Sequence, residues 1–211
     1  MGKPVKRCVI LGAAPLADME NLHGLSPEDY LICADGGLEA AEKAGLRVDY
    51  VIGDFDSLSD PSQAERYLVE RLPVAKDETD TFAAVRHGLH LGFRDFLRLG
   101  GLGGRFDHTF ANISTLLYLQ KRGARGILVD AEHEIHVLTR GSATFTQCEG
   151  CGLGVFPFSA PFCVVSGGGL EYPLNRLKLI AEYPMGVSNT ICSSTAWVEV
   201  LEGPALIVLE K

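Results

Sequence analysis

Asp54 and Asp56 stand two residues apart in the stretch GDFDS (53–57), directly after the apolar run YVI (50–52). On an extended chain, residues i and i+2 face the same side, with Cα atoms roughly 6.5 Å apart at about 3.3 Å of rise per residue. Two carboxylates brought to ~4 Å repel by ~4 kcal/mol at an effective dielectric of about 20, so water or a cation must offset them. Further acids recur at Asp35 in ICADGG, at Asp77 and Asp80 in AKDETDTF, and at Asp107 in LGGLGGRFDH. Each alone has an ordinary reading. An Asp before Gly-Gly suits a turn, and Asp77 or Thr79 suits a helix cap. Together they fit a hard cation such as Mg²⁺, which takes carboxylate oxygens and keeps waters for a phosphate-bearing substrate.

The stretch GGLGGRFDH (100–108) supplies a complementary chemistry. Glycines let a backbone approach an anion closely, and N–H groups at a helix start favour phosphate. Arg105 adds a forked donor set matched to phosphate oxygens. No Gly-Lys-Ser/Thr follows, so this is not a Walker A loop. Acidic loops combined with a glycine-arginine turn suit the binding of a Mg-nucleotide.

The elements that must position these groups follow from periodicity. RCVILG (7–12), YLICAD (30–35), DYVIGD (49–54), DFLRLGG (95–101) and RGILVDA (125–131) read as strands. Helices are expected between them over 36–45, 61–72, 79–93 and 105–123, with Gly45 as a stop and Pro61 in a first turn. Phe82, Val85, Leu89 and Phe93 recur at helical spacing, as do Phe106, Phe110, Ile113 and Leu117. This alternation predicts an α/β fold with a mostly parallel sheet covered on both faces, three layers in all. In such sheets ligands bind outside the carboxyl ends of the strands, which is where the acids fall. From about residue 134 the segments become short, β-rich and punctuated by Gly or Pro, predicting a small antiparallel sandwich or barrel.

Composition narrows the function classes. The 211 residues are 46% hydrophobic and 22% charged, an ordinary globular balance. A net charge of −8 with no dense basic run argues against a nucleic-acid partner. No stretch has the ~20 apolar residues a membrane span needs, and the first residues read as a strand rather than a signal peptide. A cytoplasmic protein with its six cysteines reduced is therefore expected. CEGC (148–151) reads as a turn, since no second Cys or His pair stands at zinc-site spacing. The pairs His87/His90 and His133/His136 have no acid partner or shared face that would make a metal site.

ADGG, GDFDS, KDETD, LGGLGGRFDH and GVSNT occur in the order and at the spacing of the motifs of thiamin pyrophosphokinases. The chain resembles that family over nearly its whole length. The resemblance implies an N-terminal α/β catalytic, Mg-ATP-binding domain (1–132) and a C-terminal antiparallel β-sandwich domain that binds thiamin (133–211). It implies a homodimer with active sites at the subunit interface. It also implies Mg²⁺-dependent transfer of pyrophosphate from ATP to the hydroxyl of thiamin, giving thiamin diphosphate and AMP. By motif, Asp54, Asp56, Asp80 and Asp107 are implied as catalytic, the first three as metal ligands. Asp35, Gly36, Lys76 and Asp77 are implied on the nucleotide, together with Thr79, Gly103, Gly104 and Arg105. Ser188 and Asn189 are implied on thiamin, and His108 in packing or hydrogen bonding. In one departure, Ile191 and Cys192 follow the Ser-Asn pair where some relatives carry an aromatic, which leaves Trp197 as either a substitute ring or a core residue.

Two other functions compete. VIGDFDSL also matches the D-x-D of a haloacid-dehalogenase-like phosphohydrolase, in which the first Asp is a nucleophile. A non-catalytic sensor of Mg-nucleotide would use the same acids without chemistry.

Overall fold

A computed structural model of the chain describes residues 7–13, 25–56, 58–75 and 77–211, so Ser57 and the candidate Lys76 lie outside the described residues. The chain divides into two compact units, one reaching to residue 115 and resuming at 123–131, the other comprising 116–122 and 132–211.

In the first unit the elements run β1 (Cys8–Leu11), β2 (Tyr30–Ala34), α1 (Gly37–Lys43), β3 (Tyr50–Gly53), a 3-10 helix (Pro61–Arg66) and β4 (Val69–Arg71). They continue with α2 (Asp80–His90), β5 (Asp95–Leu99), α3 (Phe106–Gln120), whose residues from 116 on fall in the second unit, and β6 (Arg125–Val129). The strand order is β6-β5-β1-β2-β3-β4, and every neighbouring pair is parallel. Val9, Leu11, Ile32, Cys33 and Val51 are fully buried, as strands covered on both faces require. The order reverses direction between β1 and β5, and a crevice opens at such a switch point.

Two expectations fail here for identifiable reasons. The helix expected over 61–72 stops at Arg66, and Val69–Arg71 becomes an edge strand paired with β3. Val51 donates to the Leu68 carbonyl at 2.9 Å and Leu72 to that of Gly53 at 2.9 Å, so ladder bonds override helix propensity. The apolar stripe of α3 is its buried face only toward the end of the helix. Phe106 is 80% and Phe110 53% exposed, whereas Leu117 of the stripe is buried together with Asn112, Thr115, Leu116 and Leu119. Arg98 on β5 turns α3 this way by bonding Asn112 and Thr115.

The second unit is built from β7 (His133–Leu138), β8 (Gly141–Thr146), β9 (Gly152–Pro157) and β10 (Phe162–Gly168). It is completed by β11 (Leu174–Ile180), β12 (Asn189–Thr190), β13 (Thr195–Glu202) and β14 (Ala205–Glu210). These form two antiparallel sets, β12-β9-β14-β7 and β11-β10-β13-β8. Along β13, Ala196, Val198 and Val200 turn inward while Thr195, Trp197 and Glu199 face out. Phe145, Val165, Leu179 and Val198 from one set share a core with Leu153, Val155 and Ile207 from the other. The cysteines are free thiols, and Cys148–Cys151 is a turn closed by the Cys151 N–H to the Cys148 carbonyl at 3.0 Å. No helix among the described residues is long and apolar enough to cross a membrane.

Candidate active site

The acid pair does not meet along a strand. β3 ends at Gly53, and Phe55 takes φ 65, burying its ring completely. That left-handed residue folds Asp54 and Asp56 into a turn, with the Asp56 N–H donating to Asp54 Oδ1 at 3.3 Å. β2 delivers a third carboxylate. Asp35 leaves the strand at φ 49, a conformation Asp tolerates better than most residues, and its N–H still donates to the Ile52 carbonyl at 2.9 Å. Gly53 makes this possible, because a Cβ there would stand 3.1 Å from Asp35 Cα. One carboxylate oxygen each from Asp35, Asp54 and Asp56 then lies within 4.8 Å of the other two. Asp35 Oδ1 is buried with no hydrogen-bond partner among the described residues.

The glycine-arginine turn leads from β5 into α3. Gly103 and Gly104 take φ 79 and φ 64, both conformations that a side chain would strain. Arg105 donates Nε to Asp107 Oδ1 at 3.2 Å and Nη2 to Oδ2 at 2.6 Å, a forked ion pair on the exposed surface. The pair holds the Asp107 carboxyl below the usual carboxylate range, chiefly through the Arg105 hydrogen bonds. The His108 N–H donates to Asp107 Oδ1 at 3.0 Å within the first turn of α3, where the helix dipole favours a carboxylate.

Thr79 is the N-cap of α2, its hydroxyl accepting from the Phe82 N–H at 3.2 Å, and Asp80 opens the helix where its positive end favours a carboxylate. Asp35, Asp54 and Asp56 line one cleft of about 550 Å³ with Thr79 and Asp80. Gly103, Arg105 and His108 line the same cleft, which is of ordinary size for a small-ligand site. Gly36, Asp77, Gly104 and Asp107 are not part of its lining. Asp80 lines the cleft without joining the close triple of oxygens, in which Asp35 stands with Asp54 and Asp56.

Sequence reasoning passed over Glu78, Thr81 and Asn112, which also line the cleft. Asn112 accepts from Thr81 Oγ1 at 3.0 Å and donates to the Gly101 carbonyl at 2.8 Å. Its position seven residues beyond Arg105, two turns along one helix face, was the available signal. His87 likewise has partners that spacing did not indicate. It stacks on Tyr50 with centroids 3.9 Å apart and sits 3.8 Å from Glu70.

In the second unit, Ser188 takes φ 58 and is exposed. The Asn189 amide is committed to backbone. Its Nδ2 donates to the Tyr172 carbonyl at 2.7 Å, and its Oδ1 accepts from the N–H groups of Tyr172 at 3.0 Å and Thr190 at 2.9 Å. Tyr172 is thereby fixed with its ring 63% exposed. Trp197 faces outward on β13 and is 40% exposed, so it is not a core residue.

Comparison with known proteins gives a consistent picture. The family model described as "Thiamin pyrophosphokinase, catalytic domain" matches residues 23–128. The chain is 26% identical to the thiamine pyrophosphokinase of Bacillus subtilis over 97% of its own length and 98% of that protein. It is 25% identical to thiamin pyrophosphokinase 1 of Caenorhabditis elegans over 91% of its own length and 84% of that protein. Among solved structures, the B. subtilis enzyme superposes with a TM-score of 0.86 at 23% identity, covering 98% of this chain and 99% of that one. The Candida albicans thiamin pyrophosphokinase gives 0.81 at 17% identity, covering 97% and 88%.

Proposed function

Because the chain belongs to the thiamin pyrophosphokinase family, an enzyme family that moves pyrophosphate from ATP to thiamin, we propose that the cleft at the carboxyl ends of β1, β2, β3 and β5 is its nucleotide and metal site. The observation that carries the assignment is the gathering of Asp35, Asp54 and Asp56 oxygens within 4.8 Å, beside a glycine turn and an arginine. On this reading the first unit is a three-layer α/β catalytic domain and the second a β-sandwich domain that binds thiamin.

A divalent cation fits these residues. The donors are all carboxylate oxygens, Asp35 carries a buried Oδ1 that lacks a hydrogen bond among the described residues, and a hard ion such as Mg²⁺ prefers such a set. Asp54, Asp56 and Asp35 would hold it, with Asp80 near the phosphates, and when bound it supplies charge neutralisation for the transferring group. The chain's own residues do the rest. Gly103, Gly104 and the first turn of α3 present N–H groups to phosphate oxygens, and Arg105 turns part of its fork from Asp107 to the nucleotide. Thiamin's primary alcohol attacks the β-phosphorus in line, AMP departs, and a cleft aspartate takes the alcohol proton. No side-chain nucleophile is needed, because positioning and electrostatics carry the acceleration.

Asn189 serves thiamin indirectly, by holding Tyr172, while Ser188 touches it. A homodimer is supported by the exposure of Phe106 and Phe110 beside Arg105, apolar surface that a second copy would cover. A dehalogenase-like hydrolase is disfavoured, since the acid pair follows the third strand of the sheet and not the first. The deciding experiment incubates the protein with thiamin, ATP and Mg²⁺ and follows both products. AMP with thiamin diphosphate is expected. ADP, or phosphate released without thiamin, would overturn the mechanism.

A further inference from the structure

Arg98 heads the fully buried side chains by size among the described residues, 1% exposed on β5, between β1 and β6. Its Nη1 donates to the Asn112 carbonyl at 2.7 Å and to Thr115 Oγ1, and its Nη2 to Asn112 Oδ1 at 2.7 Å. Its Nε is buried without a partner, and among the described residues no carboxylate lies within ion-pair distance of the guanidinium. Burial pulls its pKa down to about 10, which leaves it a cation at neutral pH.

Such a charge is a poor stabiliser. Replacing buried ionic groups with apolar ones of similar size is often neutral or favourable, because desolvation outweighs neutral hydrogen bonds. Of the two residues that Arg98 bonds, Asn112 lines the cleft. By gripping both the backbone and side-chain oxygens of Asn112, the fork fixes that side chain's rotamer. Asn112 in turn holds the Gly101 carbonyl and accepts from Thr81, whose hydroxyl stands 3.2 Å from that of the α2 cap Thr79. One guanidinium therefore ties the end of β5, the body of α3 and the first turn of α2 into a single floor. It also places a permanent positive charge behind a wall otherwise rich in carboxylates.

We propose that Arg98 is a positioning residue for the phosphate-bearing co-substrate, acting through Asn112 and by its uncompensated charge, and that it sets affinity for the nucleotide but not for thiamin. This rests on the reading of the cleft as the ATP site.

The test compares wild type with Arg98→Met and Arg98→Lys in the steady-state assay, with separate KM values for ATP and thiamin and a thermal melt of each protein. Arg98→Met is expected to raise the ATP KM about tenfold, the equivalent of ~1.4 kcal/mol, with the thiamin KM within twofold and the melting temperature unchanged or higher. A merely structural arginine would lower the melting temperature and move both KM values together. Arg98→Lys keeps the charge but cannot span both Asn112 oxygens, so a partial rescue is expected, to about threefold above wild type. It carries the test alone if Arg98→Met does not fold. An ATP KM within twofold of wild type in a folded Arg98→Met, or in Arg98→Lys when only that variant folds, overturns the inference and leaves the enzymatic reading standing. A wild-type protein that makes no AMP from thiamin and ATP overturns both.

Discussion

The turns at Asp54–Asp56 and Ser188–Asn189 look alike in outline and differ in what their polar atoms do. Each is a short polar turn with one left-handed residue, Phe55 at φ 65 and Ser188 at φ 58. In the first, the left-handed residue is apolar and buried, and it anchors a turn that draws three like charges together. Nothing about stability calls for that gathering. In the second, the amide of Asn189 is spent on three backbone bonds, an arrangement that structure alone explains. A functional site is identified by what its partners leave unexplained, and by that measure the acid turn stands well above the Ser-Asn turn.

The sharpest way to break the comparison is at the acids. Asp54→Asn keeps the shape and removes one like charge, so turnover should fall by ~10³-fold or more, several kcal/mol of transition-state stabilisation. Its urea midpoint should be unchanged or higher, and wild-type activity in this variant would remove Asp54 from the site. Gly53→Ala attacks the approach that brings Asp35 in. The new Cβ would meet Asp35 at 3.1–3.2 Å on three atoms, and a loss of ~1–3 kcal/mol in unfolding free energy is expected with activity down by ~100-fold.

Asn189→Ala tests the other turn. Losing the bonds to Tyr172 should cost ~1–2 kcal/mol of stability and raise the thiamin KM several-fold while the ATP KM holds. A parallel rise in the ATP KM would contradict the assignment of Tyr172 to the thiamin side alone.

The smallest effect is far from either turn. Burial makes His87 harder to protonate when folded, and His90 adds to this while Glu70 opposes it. The folded chain then binds fewer protons than the unfolded one, so this contribution is complete above about pH 6.5 and declines as pH falls through that value toward the lowered folded one. Denaturant midpoints at pH 7.5 and 5.5 should differ slightly, and His87→Gln should narrow the gap.

Much of this was legible in the residues. Strand–helix alternation indicated the parallel sheet of the first unit, and Asp35, Asp54 and Asp56 did fall just past the carboxyl ends of β2 and β3. What was not legible depended on partners distant in sequence. The extended-chain picture of Asp54 and Asp56 failed because the core claims Phe55. The helix over 61–72 was truncated because β3 offered ladder bonds. The stripe of α3 misled at Phe106 and Phe110, though not at Leu117, because a buried arginine 14 residues from Asn112 draws Asn112 and Thr115 inward. Local pattern cannot register a partner that only the sheet brings near.

The contact between Gly53 and Asp35 has a consequence for how the site can change over time. The end of β3 and the turn after β2 come so close that a Cβ on Gly53 would meet Asp35 backbone at 3.1 Å, and Gly53 has no side chain to absorb a shift. A substitution at either position alters the constraint on the other, so their effects should be strongly epistatic. A double-mutant cycle between position 53 and position 35 should therefore depart from additivity. The site would then vary as one inherited character, with the glycine, which has no functional group of its own, as tightly bound to it as any carboxylate.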